Sequence, residues 1–198
     1  MTESTGSITY FERPGKENTE RTLQIAKARA EELRLRQVLV ATTSGDMGRR
    51  AAELFKDYDL VVVTHSTGLG KPNFQELSEE NRQAILLQGA RILTCQHAFG
   101  GVNRAVRRKL STYQLDEIIA YTLRVFGEGM KVACEITLMA ADAGLIRTGE
   151  AVLAIGGTGR GADTAVILRA ANAQDFFDLR VTEILCKPLL LNAPQPEV

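Results

Sequence analysis

A glycine-rich segment between two apolar runs constrains the fold of this 198-residue chain more than any other feature. The segment, at residues 156–164, reads Gly-Gly-Thr-Gly-Arg-Gly-Ala-Asp-Thr. The flanking runs, 151–155 and 165–168, are short and rich in β-branched residues, which is typical of buried strands. Nucleotide-binding glycine motifs lead from a strand into a helix, whereas this segment leads from strand to strand. We therefore predict that one or two strands at the C-terminal end run antiparallel, because parallel neighbours need a long crossover.

The composition of this segment favours contact with a polar ligand. Its four glycines allow backbone N–H groups to approach an anion closely and to form a concave nest. A glycine-rich hairpin turn is the alternative. The arginine is a candidate phosphate partner or a solvated side chain, and the aspartate suits ligand hydroxyls or bracing of its own turn. The candidate ligand-binding residues here are Gly156, Gly157, Thr158, Gly159, Arg160, Gly161, Ala162, Asp163 and Thr164.

Composition excludes several classes of function. The 24 basic and 24 acidic residues balance, so the chain offers no basic field for nucleic acid or an anionic membrane. One basic cluster, at Arg104, Arg107, Arg108 and Lys109, is interpreted as a solvated loop, with contact to an anionic ligand as the alternative. The three cysteines are widely spaced, which argues against a disulfide framework or a thiolate zinc site.

The ends and the apolar runs of the chain favour a cytoplasmic protein. The N-terminus lacks the pattern of a signal peptide, and no apolar run approaches the length of a membrane span. We therefore expect no membrane partner and no nucleic-acid partner. The sequence is compatible with an oligomer but does not specify one.

Apolar periodicity predicts strands that alternate with helices. Predicted strands cover residues 8–11, 37–42, 60–64, 91–95, 151–155, 165–168 and 180–187. Predicted helices follow Asn18, which would be a cap, then Ser44-Gly45 and the cap Ser78, and they also cover 112–126 and 130–143. This order predicts a single α/β domain over residues 1–198, a three-layer α/β/α sandwich with a mostly parallel sheet. Residues 1–7 and 192–198 are expected to be loose tails.

Polar residues follow several of the predicted parallel strands. Ligands of open α/β sheets bind beyond the carboxyl ends of such strands, so these residues are candidates for one site. Both histidines of the chain are among them. The candidates are Thr42, Thr43, Ser44, Gly45, Asp46, Met47, His65, Ser66, Thr67, Gly68 and His97.

The turn at Thr42–Gly45 is the best phosphate candidate, because hydroxyls and a helix N-terminus both suit an anion. A simple N-cap at Ser44 is the alternative, and Asp46 should face away from a phosphate or cap the helix. His65 and His97 are candidate catalytic residues or hydrogen-bonded structural ones. No metal is expected, since the spacing of His65, His97, Glu135 and Asp163 does not require one.

Two stretches resemble the C-terminal α/β domain of pyruvate kinase. Residues 38–45 and 60–64 are similar to its T-x-S-G turn into a helix and to its next strand, which ends in V-T. Residues 161–164 resemble the G-x-x-N-T ending of the loop between its last two strands, with Asp163 in place of asparagine. In pyruvate kinases from several sources these loops form an allosteric pocket for a sugar bisphosphate. The resemblance implies a phosphate at Thr42–Gly45, with the glycine-rich segment closing over the ligand.

Residues 10–19 and 140–146 resemble stand-alone members of this superfamily, which are associated with flavin mononucleotide (FMN). The resemblance implies a phosphate-ester site for FMN and possible flavoenzyme activity. It does not imply pyruvate kinase activity, because the catalytic residues of that enzyme belong to a barrel domain for which this chain has no room. The alternatives are a non-catalytic sensor of a phosphorylated metabolite and an enzyme acting on a phosphorylated substrate, with His65 or His97 as general acid or base.

Overall fold

The computed structural model describes residues 3 and 5–191, so the predicted tail at 192–198 lies outside the described residues. Within them, seven strands form one sheet. The strands are β1 (Thr9–Phe11), β2 (Gln37–Thr42), β3 (Asp59–Thr64), β4 (Arg91–Leu93), β5 (Ala151–Gly156), β6 (Thr164–Arg169) and β7 (Arg180–Pro188). The helices are α1 (Thr19–Glu32), α2 (Asp46–Leu54), α3 (Glu79–Leu87), α4 (Val102–Leu110), α5 (Leu115–Arg124) and α6 (Glu128–Asp142).

The strands lie in the order β1-β7-β6-β5-β2-β3-β4. Strand β2 pairs in parallel with β3 and β5, and β3 pairs in parallel with β4. Strand β6 is antiparallel to both β5 and β7. The predicted reversal is therefore confirmed for β6, the strand that follows the glycine-rich segment. The last strand, β7, returns to the direction of β5, because it reverses again after β6.

Helices cover both faces of the sheet, as predicted for a three-layer sandwich. In β2, Val38 and Val40 face one apolar core, which α1, α2 and α3 complete, while Leu39 faces a second core built mainly on α6. These alternating residues are fully buried, because strands covered on both sides are apolar on both faces. Helix α5 packs against α6. No helix among the described residues has the length and apolarity needed to cross a bilayer.

Some local expectations were wrong. The basic cluster predicted as a loop lies in α4, where Val102, Val106 and Leu110 repeat at helical spacing. Strand β4 is shorter than predicted, and α5 begins three residues later. Asn18 precedes α1 but does not cap it, because its side-chain amide donates to the carbonyl oxygens of Arg13 and Gly15. Ser78 does cap α3, accepting the N–H of Asn81 at 3.2 Å.

Candidate functional site

A cavity of about 190 Å³ lies where β2 and β3 end, beside the glycine-rich segment. Residues far apart in the sequence line it together: the turn after β2, the histidines after β3 and β4, helix α6 and the glycine-rich segment. The sequence-predicted residues in its wall are Thr42, Thr43, Ser44, Met47, His65, His97, Gly157, Gly159, Arg160 and Gly161. The structure thus brings together half of the predicted site residues in one cavity wall, from every strand end that the rule selected.

The other predicted residues lie outside this wall. Seven of them belong to the turn after β2, to the start of α2 or to the glycine-rich segment, next to residues that do line the wall. They are Gly45, Asp46, Gly156, Thr158, Ala162, Asp163 and Thr164. Ser66, Thr67 and Gly68 instead line a second cavity, against α4.

Hydrogen bonds within the turn after β2 occupy part of the predicted phosphate seat. The hydroxyl of Thr42 accepts the N–H groups of Gly45 and Gly48 at 3.2 and 3.3 Å. The N-cap position of α2 is Gly45, and the hydroxyl of Thr42, rather than that of Ser44, accepts a free N–H of its first turn. The described residues offer no hydrogen-bond partner to the hydroxyl of Thr43, which lines the cavity and is thus available to a ligand.

Asp46 lies outside the cavity wall and stabilises the same turn. The hydroxyl of Ser44 donates to Asp46 at 2.7 Å, and the side-chain amide of Asn81 donates to it at 3.3 Å. These hydrogen bonds lower the pKa of Asp46, so its carboxylate is ionised at the N-terminus of α2. A phosphate on Ser44 would have to lie on the cavity side of this hydroxyl, away from the carboxylate.

Asp163 braces the glycine-rich segment from within. Its buried carboxylate accepts the N–H groups of Gly15 and Thr158 at 3.0 and 3.1 Å and the hydroxyl of Thr164 at 2.8 Å. Burial raises the pKa of this carboxyl group, although the hydrogen bonds oppose that shift. Because this carboxylate is fully buried and already accepts three hydrogen bonds, the structure favours bracing of the turn over the other predicted role, contact with ligand hydroxyls.

Helix α6 supplies a buried ion pair to the cavity wall. The Nζ atom of Lys131 lies 2.7 Å from an oxygen of Glu135, and these side chains are only 11 and 5% exposed. The other Glu135 oxygen accepts the N–H of Phe99 at 3.0 Å and lies 3.7 Å from Nδ1 of His97. Burial raises the pKa of Glu135, but His97 and Lys131 outweigh it and hold the pKa at about 2. Sequence reasoning missed Lys131, although a charged pair at i and i+4 in an apolar helix was a usable signal.

Each histidine in the cavity wall has a carboxylate neighbour. The ring centroids of His65 and His97 are 5.4 Å apart. Nδ1 of His65 lies 2.6 Å from a Glu76 oxygen, and Nε2 of His97 accepts the N–H of Ser66 at 3.3 Å. A neutral His97 therefore carries its proton on Nδ1, which faces Glu135. Such carboxylate-oriented imidazoles are suited to proton transfer.

The part of the chain that forms the cavity also matches a known protein family. Residues 20–168 match the family model of the pyruvate kinase alpha/beta domain. The chain belongs to this family. The match spans β2 to β6, so every residue of the cavity wall, from Ala41 to Gly161, falls within it. The cavity is thus a feature of the part of the chain that defines its family membership.

This pyruvate kinase alpha/beta domain protein is also similar to solved structures of pyruvate kinase from Cryptosporidium parvum. One has 13% sequence identity and a TM-score of 0.39, and another has 12% identity and a TM-score of 0.37. Each covers 77% of this chain. The chain itself covers only 22% of each enzyme.

The charges around the cavity of this pyruvate kinase alpha/beta domain protein are unevenly paired. Lys131 is paired with Glu135, and Glu128 is paired with Arg124. Arg160 has no carboxylate within 4 Å in the part of the chain that the structure describes. Its guanidinium is therefore the wall cation best placed to bind an added anion. The described residues contain no cluster of three or more His, Cys, Asp or Glu side chains that could hold a metal ion.

Replacing Asp163 tests its bracing role. Asp163→Asn should be at least as stable as the wild type at pH 7, because one amide oxygen still accepts both N–H groups and no charge is buried. Asp163→Ala should lose about 2 kcal/mol, because two amides lose their acceptor. Urea denaturation measures both changes.

The pH dependence of these variants has a defined sign. Because burial raises the folded-state pKa of Asp163, its ionisation disfavours the folded state as the pH rises through that pKa. The advantage of Asp163→Asn should therefore be absent in acid and develop with rising pH. If Asp163→Asn lost as much stability as Asp163→Ala, the bracing role assigned to Asp163 would be contradicted.

Proposed function

We propose that this protein binds a phosphate ester in the cavity, with FMN as the ligand. One observation carries the proposal: the turn after β2, Met47 in the first turn of α2, and Arg160 line the same cavity, although Arg160 is more than a hundred residues from the turn in the sequence. Hydroxyls, a helix N-terminus and an unpaired guanidinium are the groups that bind phosphate in proteins.

The phosphate is assigned to the space between Thr43, Ser44 and Arg160. The hydroxyl of Thr43 has no protein partner among the described residues, and the hydroxyl of Ser44 can turn from Asp46 to a ligand oxygen. The positive end of the α2 macrodipole adds to the attraction. The charge of Asp46 opposes it, but this residue lies outside the cavity wall.

The cavity fits part of FMN. Its volume of about 190 Å³ is below the roughly 300 Å³ at which ligand sites usually begin. A phosphate and its neighbouring carbons fit, while the rest of the molecule requires the glycine-rich segment to move outward or the ligand to extend past the rim. Val63, Val132, Ile136 and Met139 give the wall apolar surface suited to an aromatic ring. The choice of FMN rests on the resemblance to stand-alone members of the superfamily; when bound, FMN would supply redox chemistry.

Absorption spectroscopy and a flavin titration test the proposal. If the protein purifies with its ligand, its absorption spectrum should show a flavin, which denaturation releases. If the purified protein is colourless, it should bind added FMN. Riboflavin, which lacks the phosphate, should bind at least about tenfold more weakly, a loss of about 1.4 kcal/mol. Failure of both flavins to bind rejects the flavin assignment, and equal affinities reject the phosphate assignment.

The role of Arg160 is tested by charge reversal. Arg160→Glu should weaken FMN binding at least about tenfold, because a carboxylate replaces the unpaired cation of the wall. Arg147→Glu is a matched control, since Arg147 is 83% exposed and precedes β5 at the opposite edge of the sheet. Fluorescence titration of FMN measures both affinities. An equal effect of the two variants would mean that general charge, rather than contact with Arg160, controls binding.

The paired histidines favour a second candidate, an enzyme that acts on a phosphorylated substrate. In this alternative His65 or His97, each beside a carboxylate, acts as general acid or base. Turnover of a phosphate ester that His97→Asn abolishes without weakening binding would favour this reading over a flavin carrier or a non-catalytic sensor.

A further inference from the structure

A second cavity, of about 460 Å³, lies between the loop after β3 and one face of α4. Its wall contains three cations and two hydroxyls but no acidic residue. The polar and glycine residues that matter here are Ser66, Thr67, Gly68, Arg104, Arg108 and Lys109.

The cations of this wall lack counter-charges. None of the three has a carboxylate within 4 Å in the described ranges, and Arg104 and Arg108 are four residues apart on one helix face, where like charges repel each other. Arg107, which lies between them in the sequence, is instead paired with Glu117 at 2.6 Å. Glu117 of α5 thus neutralises the arginine of α4 that does not line the cavity, while those that line it stay unpaired. A bound anion would remove this repulsion.

The loop opposite α4 offers groups that complement the cations. The hydroxyls of Ser66 and Thr67 can donate hydrogen bonds, and Gly68 has a left-handed φ of +87° with no atom closer than 3.9 Å to a built Cβ. The space above this glycine is therefore open. The backbone N–H of Ser66 donates to His97, a residue of the first cavity. The two cavities therefore meet at this segment.

We propose that the second cavity is an anion site that binds a phosphate or pyrophosphate group. Arginine guanidinium groups bind phosphate oxygens in pairs, and serine and threonine hydroxyls add directional hydrogen bonds. Three cations within about 460 Å³ match a compact, multiply charged group. The group belongs either to a separate anion or to a ligand that extends from the first cavity. This site does not depend on FMN being the ligand there.

Calorimetric titration with inorganic pyrophosphate, at constant ionic strength, tests the site. The wild type should bind saturably, and Arg104→Ala/Arg108→Ala should bind at least tenfold more weakly. Arg147→Ala/Arg169→Ala is the matched control and should leave affinity unchanged, because both residues are exposed and lie near the opposite edge of the sheet. Arg160→Glu should also retain binding, which separates this site from the first cavity. The melting temperature of Arg104→Ala/Arg108→Ala should not fall, since the substitution relieves repulsion.

Several results would overturn the proposal. Absence of saturable binding to the wild type, unchanged affinity in Arg104→Ala/Arg108→Ala, or an equal loss in the control would each mean a solvated basic helix face. Where the site is present, repeating the titration with saturating FMN identifies the source of the anion. Unchanged affinity indicates a separate anion, whereas competition indicates that FMN places its single phosphate in the second cavity rather than beside Thr43 and Arg160.

Discussion

Lys131→Met should lower the free energy of unfolding by about 3–5 kcal/mol at pH 7. The substitution leaves Glu135 ionised and buried without its partner at 2.7 Å. Methionine retains the volume of the lysine stem, so the loss reports the missing charge rather than a cavity. Urea denaturation measures the change.

The pH dependence identifies Glu135 as the cause. Its pKa of about 2 in the folded protein lies below the ordinary value of about 4.3 in an unfolded chain. The wild type therefore gains stability from Glu135 that is complete above about pH 4.3 and is lost as the pH falls towards 2. The difference corresponds to about 3 kcal/mol. Without Lys131 the pKa of Glu135 should rise, because burial is then opposed mainly by His97. The deficit of Lys131→Met should therefore be largest at neutral pH and shrink in acid.

Two further variants control this experiment. Lys27→Met breaks another lysine–glutamate pair at i and i+4, with Glu31 at 2.8 Å, but these side chains are 25 and 59% exposed. We expect it to lose less than about 1 kcal/mol. Lys131→Met/Glu135→Gln removes both charges and should be more stable than Lys131→Met alone, because no unpaired charge stays buried. A deficit of Lys131→Met that is independent of pH, or no larger than that of Lys27→Met, would contradict the role assigned to the pair.

The sequence predicted the sheet well where strands are apolar on both faces. Strands β2 and β3 were bounded to within one residue, because continuous β-branched runs identify strands covered by helices on both sides. Helix α4 was missed because its cations hide a narrow apolar stripe that includes Val106. The direction of β7 was left open, since it depends on the number of reversals in the sheet rather than on local composition.

The candidate site was predictable only as far as strand ends define it. That rule selected Thr43, His65, His97 and Arg160, because the carboxyl ends of parallel strands meet at one edge. The rule considers only residues that follow strands, so it missed Lys131, which lies on a helix. It also could not predict how the loop after β3 runs, and the structure places Ser66–Gly68 against α4 instead of in the first cavity. Which hydroxyl accepts a free N–H of the first turn of α2 depends on geometry that spacing alone does not determine.

Gly157→Ala should destabilise the protein by about 2–3 kcal/mol. A Cβ atom at this position would clash with the carbonyl oxygen of Gly161 and would lie 2.7 Å from the Cα atom of Ala162. Both contacts are with backbone, so no side-chain rotation relieves them and the glycine-rich segment must shift. Because Gly157, Arg160 and Gly161 line the first cavity, the same shift should weaken ligand binding. Urea denaturation and FMN titration measure the two effects.

Gly159→Ala is the matched control within the same segment. A Cβ atom there meets nothing within 4 Å, and the cost of about 1 kcal/mol comes only from its left-handed φ of +70°. If close packing of the segment shapes the cavity, Gly157→Ala must lose more stability and more affinity for FMN than Gly159→Ala does. Equal effects would mean that the segment rearranges freely around an added methyl group. Its glycines would then serve chain flexibility, and the cavity wall would not depend on their close approach.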